Sequence, residues 1–138
     1  LIPNNILNNI QNLALNVHPS LLPRWRGPDP IRNAIYAEDK YIGISVHRMT
    51  CTFDQGEIIA QNKIINDGHT TCSGYIEILA EMGANLLLNI LKDDKLLYKS
   101  NLVDNNYHLI QEKYAYSLNK KLPFIKKKFP DIYHRLVC

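Results

Sequence analysis

Cysteine is scarce in this chain, and its few cysteines are widely separated. The 138 residues include three, Cys51, Cys72 and Cys138, with no CxxC pair and no Cys/His cluster at the spacing of a zinc site. A scattered and odd-numbered set of this kind is typical of reduced thiols and not of a disulfide framework. We therefore expect neither a disulfide-stapled secreted protein nor a resident metal.

Other absences narrow the class of protein further. We see no apolar run long enough to span a bilayer, and no charged segment followed by a short apolar one as in an export signal. The net charge of +3 is mild, so it permits an anionic partner without demanding one. With 46% hydrophobic and 21% charged residues, the composition is that of a globular domain. We expect a cytoplasmic protein that does not contact a membrane.

The densest set of polar and special-backbone residues lies between Asn16 and Gly27. Apolar and other residues alternate just before it, which predicts a strand over residues 13–18 with Asn16 and His18 on the same face. Pro19 ends that strand because it cannot donate to the ladder. Ligands usually bind where polar side chains gather at the carboxyl ends of strands in an α/β sheet. The segment is therefore predicted to form an active-site loop.

Periodicity predicts an α/β arrangement for the remainder of the first two thirds of the chain. The predicted helices are a short one after Pro3, one from Pro30 to about Ala37 with Asp29 as its N-cap, and a long one capped by Thr70 or Thr71. Two further strands are predicted at residues 42–49 and 57–65. The two strands are joined by a short link and should be antiparallel. The long helix should lay its apolar stripe, residues 76–91, on the sheet.

Asn16, His18 and Asp54 have the chemistry for attack on a carbonyl group. An Asn amide N–H can donate to an oxygen that becomes negative, which is worth about 3–4 kcal/mol in comparable sites. A His with a reference pKa of about 6.5 can carry a proton, and a nearby carboxylate can orient the ring and favour its protonated form. No Ser, Cys or Lys is placed as an obvious nucleophile. The alternative is that Asn16 and His18 are only hydrogen-bonding residues at a strand end.

The segment Asn16-Val17-His18-Pro19-Ser20-Leu21-Leu22-Pro23, followed by Arg26-Gly27 and by Asp54-x-Gly56, resembles the signature of the folate-dependent formyltransferases. The resemblance extends in one register over residues 1–91. Within the family, the sequence is most similar to the methionyl-tRNA formyltransferase branch. It implies the C-terminal portion of a Rossmann-like catalytic domain with a mixed sheet, whose upstream strands are missing from this sequence. We assign residues 1–94 to that domain portion and 95–138 to a divergent, helical, basic and aromatic tail.

The same resemblance implies a role for each motif residue. Asn16 would bind the formyl oxygen of the co-substrate, 10-formyltetrahydrofolate. His18 would stabilise the tetrahedral intermediate, and Asp54 would keep His18 charged and relay the proton of the amine. The folate-binding residues would be Ser20, Leu21, Leu22 and Pro23. Transfer would be direct and would need no metal, in agreement with the lack of a protein nucleophile.

The acceptor is less clearly indicated. Arg24-Trp25-Arg26-Gly27 favours methionyl-tRNA, with initiator tRNA as partner, whereas His47 is similar to a residue of the sugar N-formyltransferases and favours a nucleotide-linked amino sugar. His47 is otherwise interpreted as a partly buried strand side chain. A third alternative is an inactive fragment or a subunit that needs a partner, either the missing N-terminal half or a second copy. The lysines of the tail would contact phosphates, or simply form a solvated face.

Overall fold

The computed structural model describes residues 2–10, 14–93, 131 and 134–135. In chain order these form α1 (Asn4–Asn9), β1 (Leu15–His18), α2 (Pro30–Tyr36), β2 (Tyr41–Arg48), β3 (Ile58–Ile65) and α3 (Cys72–Lys92). The helices and strands predicted up to residue 92 are therefore confirmed. Most of the predicted tail, 95–138, lies outside the described residues.

The strands form one antiparallel sheet in the order β1-β2-β3. The predicted antiparallel pairing of β2 with β3 is confirmed, and a register irregularity lies between Val46 and His47. The α/β fold class is confirmed, with every pair in the described sheet antiparallel.

The register divides the sheet into a polar face and an apolar face. Asn16 lies opposite His47, and His18 lies opposite Ser45. Gln61 of β3 also pairs with Ser45. Because side chains alternate between faces along a strand, these polar residues all project from the same side. Positions between them, such as Val46, project from the other side.

Helix α3 covers the apolar face and packs there against α2. Tyr75 and Leu79 of α3 are buried in one cluster with Ile42 and Ile44 of β2 and with the apolar side of α2, whereas Ile90 of α3 is buried in a second cluster with Val46 and Ile59. A Cβ on Gly83 would lie 2.5 Å from Ile44 Cδ1 and 2.8 Å from Val17 Cγ1. Glycine at this position therefore lets the helix approach the sheet closely.

The helix caps agree only in part with the sequence. Thr71, and not Thr70, caps α3, since its Oγ1 accepts a hydrogen bond from the Gly74 N–H at 3.2 Å. Asp29 occupies the N-cap position of α2 and Pro30 begins the helix, as the sequence predicted. Asp29 has a left-handed backbone with φ of 54° and makes no side-chain cap bond. Its carboxylate instead lies 3.7 Å from the Arg32 guanidinium.

The prediction of a single buried stripe on α3 was wrong in part. Ile76 is 53% exposed and Leu91 is 56% exposed. Their neighbours Tyr75 and Ile90 face the sheet instead.

Helix α3 is long and apolar enough to cross a membrane by length and composition alone. Our expectation that the sequence holds no such segment was wrong in that sense. A core helix of a globular domain meets the same criteria, and one side of α3 packs on the sheet.

Gly56 is predicted to be essential for the loop between β2 and β3. A Cβ at this position would overlap the Arg48 carbonyl oxygen, a backbone atom that cannot move without distorting β2. We expect Gly56→Ala to lower the free energy of unfolding by about 1–3 kcal/mol, as for other overpacked sites. Urea denaturation measures this, with Gln55→Ala, at the exposed neighbouring residue, as the control. Equal stability of the two variants would contradict the prediction.

Candidate active site

Asp54 lies in the loop between β2 and β3, at the centre of a polar cluster. Its backbone is left-handed, with φ of 49°, and Gly56 close by is packed against the Arg48 carbonyl. The Gly27 N–H donates to Asp54 Oδ2 at 2.8 Å. This bond ties the loop to the segment that follows β1, so residues distant in sequence meet at one carboxylate.

Asn16 is held from two sides by the cluster. Its Nδ2 lies 3.1 Å from His47 Nε2 and donates to Asp54 Oδ1 at 3.4 Å. The carboxylate oxygen fixes the orientation of the amide, because only the NH₂ group, and not the amide oxygen, is attracted to it. The structure thus brings Asn16 and Asp54 together, as the sequence predicted.

His18 is buried, and both of its ring nitrogens face polar atoms. Nε2 lies 2.9 Å from the Trp25 carbonyl oxygen, an acceptor, so Nε2–H is the donor. Nδ1 lies 3.5 Å from Asp54 Oδ2. The predicted proximity of His18 to Asp54 is therefore present.

The charge state of His18 differs from the expectation. Burial lowers the pKa of His18, and this effect outweighs the Trp25 hydrogen bond and the Asp54 charge, which raise it; His47 and Arg26 lower it further. The neutral imidazole is therefore favoured at neutral pH, whereas the resemblance implied a charged one. Burial also raises the pKa of Asp54, but the contact with His47, the hydrogen bond from the Gly27 N–H and the two nearby imidazoles lower it more, so Asp54 is ionised.

His47 belongs to the cluster, although the sequence indicated no more than a strand side chain or an acceptor cue. It is 2% exposed. Its Nδ1 lies 2.8 Å from the Arg48 carbonyl oxygen, and its Nε2 lies 3.4 Å from Asp54 Oδ1. The centroids of the two imidazoles are 6.4 Å apart. Each oxygen of the Asp54 carboxylate thus faces one histidine, an arrangement that depends on the pairing register of β1 with β2.

A cavity of about 210 Å³ opens beside this cluster. It is lined by Ile2, Asn16, His47, Met49, Thr50, Thr52, Phe53 and Asp54. The Phe53 side chain at its rim is 63% exposed. The cavity places an amide donor, an imidazole and a carboxylate within reach of one small group.

Side chains of the sheet hold the predicted folate-binding segment, Ser20 to Pro23, by hydrogen bonds to its backbone. Ser45 Oγ donates to the Ser20 carbonyl at 2.6 Å and accepts from the Leu22 N–H at 3.0 Å. Gln61 Nε2 donates to the Leu22 carbonyl at 2.8 Å. The Leu22–Pro23 peptide bond is cis, and the Leu22 side chain is buried. The polar face of the sheet therefore fixes the course of this segment.

Two of the predicted folate-binding residues line a different cavity from Asn16 and Asp54, and His18 lines neither of these two cavities. Ser20 and Leu21 border a cavity of about 230 Å³, together with Trp25 and Gly43. The Ser20 hydroxyl is itself engaged, since it donates to the Arg24 carbonyl at 2.7 Å. The structure does not bring these residues to the Asn16 cavity, and their role in folate binding stays a prediction.

The residues that favoured a tRNA acceptor anchor the loop internally. Arg24 makes two hydrogen bonds of 2.8 Å to the Asp39 carboxylate, and Trp25 Nε1 donates to the same group at 2.6 Å. The Arg24 guanidinium also lies 4.3 Å from the centroid of the Trp25 ring. Arg24-Trp25 thus fastens the loop to the end of α2.

Comparison with known proteins connects this site to one family. The family model described as Formyl transferase matches residues 1–91. The chain is 37% identical over 93 residues to the methionyl-tRNA formyltransferase of Wolbachia pipientis, covering 67% of this chain and 31% of that protein. It is 32% identical over 138 residues to the methionyl-tRNA formyltransferase of Ehrlichia canis, covering 98% of this chain and 45% of that protein. It spans less than half the length of these curated relatives.

Solved structures share the fold. Phosphoribosylglycinamide formyltransferase from Bacillus halodurans is 29% identical, with a TM-score of 0.58 over 62% of this chain and 44% of that one. The formyltransferase PseJ from Anoxybacillus kamchatkensis, in complex with a UDP-linked sugar and tetrahydrofolate, is 23% identical, with a TM-score of 0.70 over 99% of this chain and 70% of that one. The extent of the family match, supported by these relatives and this fold, shows that the chain belongs to the formyl transferase family.

Proposed function

We propose that this chain supplies catalytic residues for the transfer of a formyl group from 10-formyltetrahydrofolate to an acceptor amine. The observation that carries the proposal is the convergence of Asn16, His18 and Asp54 within hydrogen-bonding reach in a member of this family. The cavity beside them accommodates a small reacting group. Two hydroxyls line that cavity, and that of Thr50 donates to the Thr52 carbonyl at 2.9 Å. The proposed transfer is direct between two nitrogens and uses neither hydroxyl.

Asn16 is the proposed donor to the formyl oxygen. As the amine attacks, the carbonyl oxygen becomes negative, and an amide N–H that is already oriented stabilises that charge at little cost of reorganisation. Asp54 orients the amide by accepting one of its N–H groups at 3.4 Å. Asp54 is in turn fixed by the Gly27 N–H at 2.8 Å.

Asp54 and His18 are proposed to handle the proton that the amine loses. Asp54 is ionised in the free chain and acts as the base, directly or through water. His18 is neutral there, and its Nδ1 faces Asp54 Oδ2 at 3.5 Å. When negative charge develops on the bound intermediate, a protonated His18 would be stabilised by it, so the ring can exchange a proton during the reaction and return to the neutral form.

The folate co-substrate and the acceptor belong to the proposal as well. Ser20, Leu21, Leu22 and Pro23 are proposed to contact folate, on a segment that Ser45 holds in place. Methionyl-tRNA is the favoured acceptor, because both curated relatives described above carry that activity in their name. A nucleotide-linked amino sugar is the second candidate. It is supported by His47 and by the PseJ complex, which at 23% identity shows the fold alone.

A partner-dependent subunit is the remaining alternative. The chain spans 31% and 45% of the two relatives compared. The residues that complete the folate and acceptor sites would then come from another segment or polypeptide. Formyl transfer by the chain alone would exclude this alternative.

We expect Asn16→Ala to lower the rate of formyl transfer by about 10²- to 10³-fold, as when other oxyanion donors are removed. The measurement is formyl transfer from 10-formyltetrahydrofolate to methionyl-tRNA and, separately, to an amino sugar nucleotide. The matched control is Asn85→Ala, at an exposed position of α3.

Two results would count against the proposal. If the wild-type chain transfers no formyl group to either acceptor and no partner restores transfer, the catalytic assignment fails. If Asn16→Ala is as active as Asn85→Ala, the assignment of the oxyanion donor fails while the activity stands.

His18 is expected to make the stability of the chain depend on pH. Its pKa is lowered in the folded chain, so when the pH falls below about 6.5 the unfolded chain binds a proton on His18 before the folded chain does. The free energy of unfolding should therefore fall between about pH 7 and pH 5, and His18→Gln should reduce that fall. Urea denaturation at both pH values measures it, with His69→Gln, an exposed turn residue, as the control. An unchanged fall in His18→Gln would contradict the neutral, buried state of His18.

A further inference from the structure

Three polar atoms at the cavity form a closed triangle. Asn16 Nδ2 lies 3.1 Å from His47 Nε2 and 3.4 Å from Asp54 Oδ1, and His47 Nε2 lies 3.4 Å from the same Asp54 oxygen. All three residues line the cavity of about 210 Å³. Which of these atoms carry hydrogens decides whether an Asn16 N–H is free to donate into the cavity.

The other nitrogen of the His47 ring fixes the tautomer. Nδ1 lies 2.8 Å from the Arg48 carbonyl oxygen, which can only accept, so Nδ1 carries a hydrogen. In the neutral ring, Nε2 then has a lone pair and accepts one N–H of Asn16. The second N–H of Asn16 is given to Asp54 Oδ1. A primary amide has two N–H groups, so the Asn16 amide has none left for a ligand in this state.

A proton on His47 Nε2 reverses one of these contacts. Nε2–H is then a donor, cannot accept from Asn16, and has an ionised acceptor in Asp54 Oδ1 at 3.4 Å. The charge-assisted hydrogen bond to the carboxylate is the stronger one. The N–H of Asn16 that pointed to Nε2 is released, while Asn16 remains at the cavity wall.

We propose that His47 is a positioning residue that controls the Asn16 amide: the neutral ring occupies one amide N–H, and the protonated ring frees it for an oxygen in the cavity. The inference rests on the proposed function, in which that oxygen belongs to the formyl group. As the amine nitrogen forms its bond to the formyl carbon, one amine N–H bond breaks, Asp54 takes that proton as the base and passes it on, and the Nε2–H bond of His47 forms. The donor thus becomes available as the oxyanion develops, which favours the transition state over the bound substrate.

The surrounding charges are consistent with a single mobile proton. Asp54 from the loop and His18 from β1 face the His47 ring, the latter at a centroid distance of 6.4 Å. Arg26, from the segment before α2, acts on both Asp54 and His18. Helix α3 packs on the opposite face of the sheet. One carboxylate between two imidazoles and a guanidinium supports a proton on one ring and disfavours a proton on both.

Nuclear magnetic resonance of the 15N-labelled 138-residue chain tests the inference without any substrate. The Asn16 side-chain amide resonances, identified by their loss in Asn16→Ala, are followed from about pH 8 to about pH 5. We expect one Asn16 amide proton to lose its hydrogen-bonded shift at the same pH at which the His47 Nε2 signal changes from that of an unprotonated to that of a protonated nitrogen. The transition of the Asn16 amide should vanish in His47→Gln and persist in His18→Gln and in His69→Gln.

A transition that persists in His47→Gln, or that is lost in His18→Gln alone, would overturn the inference. If His47→Gln does not fold, the wild-type spectrum decides, because an Asn16 amide that does not respond when Nε2 gains its proton also overturns it. Formyl transfer is measured separately. A transition without any transfer contradicts the proposed function and leaves the control of Asn16 by His47 standing, whereas transfer without a transition overturns that control alone.

Discussion

The ionised carboxylate of Asp54 is the group on which the organisation of the site depends. It accepts a backbone N–H from Gly27 and the Asn16 amide, and it faces His18 with one oxygen and His47 with the other. Even a partly buried carboxylate is costly unless several donors surround it, and here those donors come from segments far apart in the chain. Each donor that stabilises the charge is thereby placed within reach of the others.

The scaffold holds this arrangement by dividing the sheet into two faces with opposite chemistry. On one face α3 buries an apolar cluster, with Gly83 bringing the helix close to Ile44. On the other face Ser45 fastens the backbone of the Ser20–Pro23 segment. Because neighbouring residues of a strand point to opposite faces, the packing of α3 fixes the register that sets Asn16 beside His47.

The two histidines illustrate how burial alters the chemistry of a familiar motif. A carboxylate next to an imidazole ordinarily favours the charged ring, yet desolvation of His18 outweighs the Asp54 charge and lowers its pKa. A second ring, that of His47, lies 3.4 Å from the other oxygen of the same carboxylate. The site as a whole, and not one residue, then determines where a proton resides.

The sequence by itself determined the order of helices and strands and placed Asn16 and His18 on one face of a strand, because periodicity and strand alternation are local properties. The family, and Asp54 as the third member of the site, came from the resemblance of its motifs to a known family. The sequence did not determine the neutral state of His18, which depends on burial, or the membership of His47 in the site, which depends on the pairing of β1 with β2. Packing against the sheet likewise decided which side of α3 is exposed. The left-handed backbone of Asp29, at the start of α2, was also visible only in the structure. Periodicity shows that a residue is apolar or polar, but only the tertiary structure selects which neighbour it meets and how much water remains around it.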